Sequence, residues 1–467
     1  MRDIRPTPLR RAAGRLAACL ALAWTAAAHA GAGAVHEWTL PNGLRLVVKE
    51  DHRAPVVVSQ IWYKVGAGDE PAGLTGISHV LEHMMFKGTP RHPAGEFSRI
   101  IAEQGGRENA FTGRDYTAYF QRLERSRLAV AFELEADRMR NLLLPPEEFE
   151  KERRVVMEER RLRTEDRPRA LVYERLYATA FLNGPYHHPV IGWMEDLGRL
   201  TVADLRRWYR RFYAPDNATL VVVGDVDPEA VRRLAERHFG PLRPSGMQRP
   251  PPRGEPRQRG PRRVVVRAPA EVPYLIMGWK VPVLATAAEP WEAYALEVLA
   301  GVLAGGESAR LARALVRGRR IAAAADAGYD LYARADDLFL LDGTPAQGHT
   351  VAELEAALRA EVERLKREPV AAAELERIKA QVVAAKVYER DSMFYQAMQI
   401  GMLETVGLGW RTAERYVDAV RAVTPARIQA VARKYLVDER LTVAVLEPAG
   451  RPARRPRPAP GRHGGGR

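Results

Sequence analysis

The sequence predicts an α+β protein made of two tandem homologous α/β domains. Three observations predict it. Short apolar runs of strand type alternate with longer stretches of helical periodicity. A Pro- and Arg-rich stretch at 241–262, without apolar periodicity, divides the chain. The segments on either side of it also end alike. Thr201 opens an amphipathic helix ending at Phe212, followed by the apolar run 218–223; Thr424 opens one ending at Tyr435, followed by 441–446. Thr201 and Thr424, like Thr219 and Thr442, are 223 residues apart without a gap. A repeat this long is a duplicated domain rather than a solenoid.

Taken in order, residues 1–30 read as an export signal. Arg5, Arg10, Arg11 and Arg15 precede a short apolar run, and Ala28-His29-Ala30 is a small-x-small cleavage pattern. Cleavage near Ala30 places the mature chain in the periplasm. Lipidation at Cys19 is disfavoured, because the apolar run follows that cysteine where a lipobox needs it before. Cys19 is the single cysteine of the 467 residues, so the mature chain has neither disulfides nor thiolate ligands. The formal charge of +14 concentrates at the ends. Residues 1–30 hold five Arg and one Asp, and 451–467 hold six Arg and no acid. The core keeps about +4 (14 − 4 − 6), with no basic stripe among aromatics, which speaks against nucleic acid. No later run has transmembrane length.

The first domain spans 31–240. Residues 38–48 form two strand-like runs around Pro41-Asn42-Gly43, and 56–65 a third. Helical patterns follow at about 75–87, 94–104, 126–141, 146–163 and 202–213, then a buried-type strand at 218–224 and a helix at 228–239. The second domain spans 263–448, and 449–467 is a disordered basic tail.

The chemistry concentrates at His79-Val80-Leu81-Glu82-His83. On a helix, positions i, i+3 and i+4 share a face, so both imidazoles and the carboxylate point at one small volume. This is the inverted zinc-peptidase order, which suits a metal with a base beside its bound water. Chance alone would place such a pentapeptide in roughly two chains per hundred of this size. The 223 offset sets Val302, Gly305 and Gly306 opposite the motif, so only the first copy carries it. Catalytic zinc takes three protein ligands. Without cysteine, the third is a carboxylate or histidine, and the helix around Glu150 offers Glu152, Glu158 and Glu159 without a choice among them.

With these residues the chain resembles the family of pitrilysin, insulin-degrading enzyme and the mitochondrial processing peptidase. The resemblance spans nearly the whole mature chain, duplicated halves included. It implies domains built from a mostly antiparallel sheet with helices packed on one side. It also implies one Zn2+ per chain, held by His79, His83 and Glu159, since the family's glutamate ligand lies about 76 residues beyond the second histidine. Glu152 matches a supporting acid and Glu82 the general base. Gly105-Gly106-Arg-Glu-Asn109-Ala110-Phe111 resembles the strand on which substrate backbone is laid, which makes Asn109, Ala110 and Phe111 substrate-binding candidates.

The chain also departs from that pattern. Single-chain members carry an Arg and a Tyr, seven apart, in a later domain; Val316 and Ala323 stand in those places. Tyr329 and Tyr332 lie nearby in the wrong register. Active members have four such domains, and this chain has two. The resemblance therefore implies a zinc endopeptidase acting on peptides or unfolded proteins, as the metal-carrying half of a heterodimer whose metal-free subunit supplies Arg and Tyr. A homodimer using Arg317 or Arg319 is the runner-up assembly. The alternative functions are a non-catalytic assembly subunit and a zinc scavenger; Glu82 weighs against both, since neither needs a base.

Overall fold

The computed structural model describes residues 33–249 and 253–450. The export signal, Cys19 and residues 451–467 of the predicted tail lie outside the described residues.

The first half opens with β1 (Val35–Thr39), β2 (Arg45–Glu50) and β3 (Val56–Tyr63). Then come α1 (Ile77–Met84), α2 (Glu96–Glu103), β4 (Arg107–Thr112) and β5 (Thr117–Glu124). Five helices follow: α3 (Leu128–Asn141), α4 (Pro146–Arg160), α5 (Pro168–Ala180), α6 (Met194–Arg199) and α7 (Val202–Phe212). β6 (Ala218–Gly224) and α8 (Pro228–His238) close the half. In the second half, β7 (Arg262–Pro269) and β8 (Tyr274–Val281) lead to α9 (Pro290–Ala304), then β9 (Ala322–Gly328) and β10 (Asp337–Pro345). Next are α10 (Val351–Arg367), α11 (Ala372–Glu389), α12 (Met393–Thr405), α13 (Thr412–Arg421), α14 (Pro425–Tyr435) and β11 (Leu441–Ala449).

Five strands of the two sheets correspond in order, and β1 is an additional edge strand of the first. The first runs β1-β2-β6-β3-β5-β4 and the second β7-β11-β8-β10-β9. In each, one parallel pair (β2 with β6, β7 with β11) sits among antiparallel neighbours. The repeat extends to register: Thr219 is flanked by Arg45 and Trp62, Thr442 by Arg262 and Gly278. Helices α7 and α14 begin at Thr201 and Thr424, whose hydroxyls accept the backbone N–H three residues on, the usual first-turn cap.

Each sheet buries one face under helices of its own half, as alternation of side chains along a strand requires. Leu46, Val48, Ile61 and Leu220 share one core with residues of α1, α3, α7 and α8 on the first sheet, while Leu275, Met277 and Val443 share one with α9 and α14 on the second. The opposite faces hold a feature that periodicity does not reveal. Val47, Val58, Trp62 and Val221 pack under α12, with Ala397 and Ile400, from the second half. Ile276, Leu338 and Ala444 pack under α5, with Val172, Leu176 and Ala180, from the first half. The halves thus exchange a helix. The two contacts reverse large and small: a Cβ on Gly401 of α12 would lie 2.1 Å from the Trp62 indole, whereas Gly278, in the Trp62 register position, faces Leu176 of α5.

The described part of 241–262 holds no helix or strand before Arg262, yet it is fastened along its length. Asp216 accepts from the Ser245 and Gly246 amides, and Glu255 from those of Leu182, Asn183 and Gly184. Gln258 donates to the Leu441 carbonyl at 2.7 Å.

Candidate metal centre

Helix α1 buries Ile77, Val80, Leu81 and Met84, which turns His79, Glu82 and His83 to its other side. Its N-cap is Gly76 at φ 85°, with no side-chain cap of its own. Glu70, six residues back and fully buried, does that work, accepting from Gly76 N at 2.7 Å and Ser78 N at 2.9 Å. A carboxylate there satisfies two orphan amides. Burial nevertheless dominates and pushes the Glu70 carboxyl up to about 8.

Helix α4 packs along α1 and starts on Pro146, with Glu147 and Glu148 in its first turn. It places Glu159 Oε2 3.8 Å from His79 Nε2 and 3.6 Å from His83 Nε2. One turn-pair earlier, Glu152 Oε2 lies 3.0 Å from His83 Nδ1 and accepts from Lys87 Nζ at 2.6 Å through Oε1. Glu158, the remaining sequence candidate, is exposed and paired with Arg161 at 2.8 Å. The other oxygen of Glu159 pairs with Arg163, which sits in a π turn (161–165) continuing α4. Burial would raise the Glu152 carboxyl, but hydrogen bonds from Lys87 and His83 hold it below the usual range.

Burial, then the charge of His83, pushes the His79 imidazole down to about 3, so it is neutral with a free lone pair near neutrality. Its Nδ1 is buried without a protein partner. Glu82 takes a 2.5 Å hydrogen bond from Thr112 Oγ1; burial raises its carboxyl, and that bond works the other way.

Among the described residues, His79, His83 and Glu159 are the one group of three His, Cys, Asp or Glu whose donor atoms converge, all within 4.8 Å of one another. Zinc bonds of 2.0–2.1 Å at the tetrahedral angle set donor atoms about 3.4 Å apart. Glu159 at 3.6 and 3.8 Å from the two imidazoles, with all three donor atoms within 4.8 Å of one another, therefore fits the ion with an inward adjustment.

Asn109, Ala110 and Phe111 lie on β4, the outer strand of the first sheet, paired with β5 on one side and open on the other. Asn109 is exposed, and its Oδ1 accepts from the Ala110 amide. Ala110 packs toward the helix layer, and Phe111 stands edge-on to Trp62 at 5.3 Å. Lys87, Arg163 and Glu70 were not singled out from sequence. Arg163, four residues past Glu159, carries a signal that spacing could have used, whereas Lys87 lies three residues beyond the end of α1.

In the second half no histidine stands on α9. Glu292 there is bonded by Lys434 and by Tyr435 at 2.8 Å, and Glu297 by Tyr416 at 2.6 Å. Val316 and Ala323 occupy the places expected of Arg and Tyr. Arg317 pairs with Glu307 at 2.7 Å, Arg319 reaches Glu361 at 3.4 Å, and Tyr329 donates to the Pro282 carbonyl.

Known proteins resemble this chain in sequence and fold. The family model described as insulinase (peptidase family M16) matches residues 45–192, and that of the peptidase M16 inactive domain matches 199–382. The zinc protease PqqE of Helicobacter pylori is 36% identical over 335 residues, covering 70% of this chain and 74% of that protein. A protein of Bacillus subtilis named uncharacterized zinc protease YmxG is 26% identical over 89% of this chain and 99% of that protein. A crystal structure of a protease from Helicobacter pylori superposes with a TM-score of 0.84 at 31% identity, covering 89% of this chain and all of that one. The first half of the periplasmic protease PqqL from Escherichia coli shares the fold at 18% identity, with a TM-score of 0.74 over 88% of this chain and 91% of that one. The chain belongs to the insulinase (peptidase M16) family.

Proposed function

We propose that this chain is a zinc-dependent metalloendopeptidase that hydrolyses peptide bonds in peptides or unfolded proteins. The observation that carries the reading is the convergence of His79, His83 and Glu159 beside the Glu82 carboxylate. Zinc bound there would acidify a coordinated water and polarise the scissile carbonyl. Glu82 takes the proton of the attacking water and returns it to the leaving amine nitrogen. Thr112 fixes the orientation of that carboxylate, and Glu152 fixes the His83 ring through Nδ1. The open edge of β4 offers backbone donors and acceptors to an extended substrate along Asn109, Ala110 and Phe111.

The reading extends to a heterodimer in the periplasm. Val316 and Ala323 leave this chain without the Arg and Tyr pair, and Arg317 and Arg319 are engaged in ion pairs of their own. A metal-free homologous subunit would supply the pair. The periplasmic setting is supported by the signal-like residues 1–30. A non-catalytic assembly role is the second reading, favoured by the match of 199–382 to an inactive domain.

The experiment is cleavage of an unstructured fluorogenic peptide, with and without chelator, by parent and Glu82→Gln. The expected outcome is zinc retained in both and turnover lowered about 1,000-fold in the variant. Equal turnover removes Glu82 as the base. Zinc uptake without cleavage, by the chain alone and with its homologous partner, favours the assembly role.

A further inference from the structure

Arg160 follows Glu159 and is 4% exposed. Its guanidinium donates to both oxygens of Glu174 on α5, at 2.7 and 3.1 Å. Nη1 also donates to the Gly192 carbonyl at 2.9 Å. Gly192, at φ 82°, lies hard against the start of α1: a Cβ there would come 2.5 Å from the Thr75 carbonyl and 2.6 Å from Gly76. The same loop is tied to α1 again, since Trp193 N donates to Thr75 Oγ1 at 2.9 Å and Thr75 Oγ1 donates to Asp196 at 2.6 Å. One buried guanidinium therefore joins the end of the helix bearing Glu159, the crossing helix α5, and the loop abutting the helix that bears His79 and His83. Between α4 and α5 the backbone widens into the π turn 161–165, so the side chain closes a connection that regular helix bonding leaves loose.

We propose that Arg160, through its fork onto Glu174 and Gly192, is a positioning residue of the metal centre that sets the separation between Glu159 and the two histidines. This inference rests on the zinc reading above. A buried ion pair is weak evidence of stabilisation, because apolar pairs of like volume often hold a fold as well or better. Arginine's planar fork, by contrast, fixes geometry that neither Lys nor Met reproduces.

The test is Arg160→Met/Glu174→Met, with Arg160→Lys beside it. In the metal-free state the double variant should melt within about 4 °C of the parent. Its zinc dissociation constant should rise about 10- to 100-fold, the range seen when a residue supporting a ligand is lost. The visible spectrum of the Co2+-substituted protein should change with it, since that spectrum reports coordination geometry. Arg160→Lys keeps the charge and loses the fork, so its zinc affinity should fall between the two. Parental zinc affinity and an unchanged Co2+ spectrum in a folded double variant overturn the proposal. Should the double variant not fold, parental zinc affinity in Arg160→Lys overturns it. Failure of the parent itself to take up zinc strikes the zinc reading instead, and is seen before any variant is compared.

Discussion

Five strands of the two sheets correspond in order, and the halves have the same capped helix before the last strand and the same register around Thr219 and Thr442, yet among the described residues only the first half converges His and carboxylate donor atoms on one point. His79 and His83 on α1 and Glu159 on α4 bring their donor atoms to a shared point. On α9, Glu292 is bonded by Lys434 and Tyr435, and Glu297 by Tyr416. The difference teaches that the scaffold is indifferent to metal. The distinction lies in what the neighbouring helices bring together: two imidazoles and Glu159 in the first half, and Lys434, Tyr435 and Tyr416 against the α9 carboxylates in the second.

The largest effect that could break this comparison is on metal content. His83→Ala should lower zinc from one equivalent to near none and abolish turnover, whereas Glu297→Gln in the second half should leave both unchanged. Metal analysis of dialysed protein reads the outcome; zinc lost in Glu297→Gln would mean that the halves do not divide the work as described.

The crossing helices come next. Gly401→Ala drives a methyl into the Trp62 ring and should destabilise the fold by about 3 kcal/mol. Gly278→Ala, at the matching register position, meets the ends of Leu338 and Leu176 at 2.9 and 3.4 Å, where flexible side chains can give, and should cost about 1 kcal/mol. Denaturant titration compares them, and equal losses would show that the two contacts are not reversed in kind.

Glu70 sharpens the contrast through pH. Its folded pKa is pushed up to about 8 by burial, above the unfolded value of 4.5. The folded state thus holds a proton that the unfolded chain releases between those values, so stability falls as pH rises from about 4.5 to 8. The slope is at most about 1.4 kcal/mol per pH unit. Glu70→Gln should flatten melting temperature against pH in that window; an unchanged slope assigns the dependence elsewhere. The smallest effects are the caps: Thr201→Ala and Thr424→Ala should each cost about 1 kcal/mol, and alike.

Much of this was legible in the sequence where one physical period dominates. The spacing of His79, Glu82 and His83 placed all three on one face, and helices expected at 126–141 and 202–213 appear at Leu128–Asn141 and Val202–Phe212. Helix α5 was not legible. Its buried face includes Glu174, acceptable there only because Arg160 reaches it, so the apolar stripe is interrupted. The choice of Glu159 over Glu152 and Glu158 needed the family spacing, since all three lie within one charged helix; tertiary packing sends Glu158 to solvent and Glu152 to His83 Nδ1. Nor could periodicity show that the described part of 241–262 is strapped down, because its anchors are single polar contacts between distant residues.

The exchanged helix imposes a timetable on biosynthesis. The strands of the first sheet are complete once Gly224 has been made, but the segment that roofs Trp62 and Val221 ends at Thr405, about 180 residues later. At about 5–20 residues per second, the outer surface of that sheet stays bare for roughly 10–35 s. The outer face of the first sheet is therefore covered only once the chain has delivered α12, so a fragment ending at Gly224 would carry Trp62 and Val221 exposed.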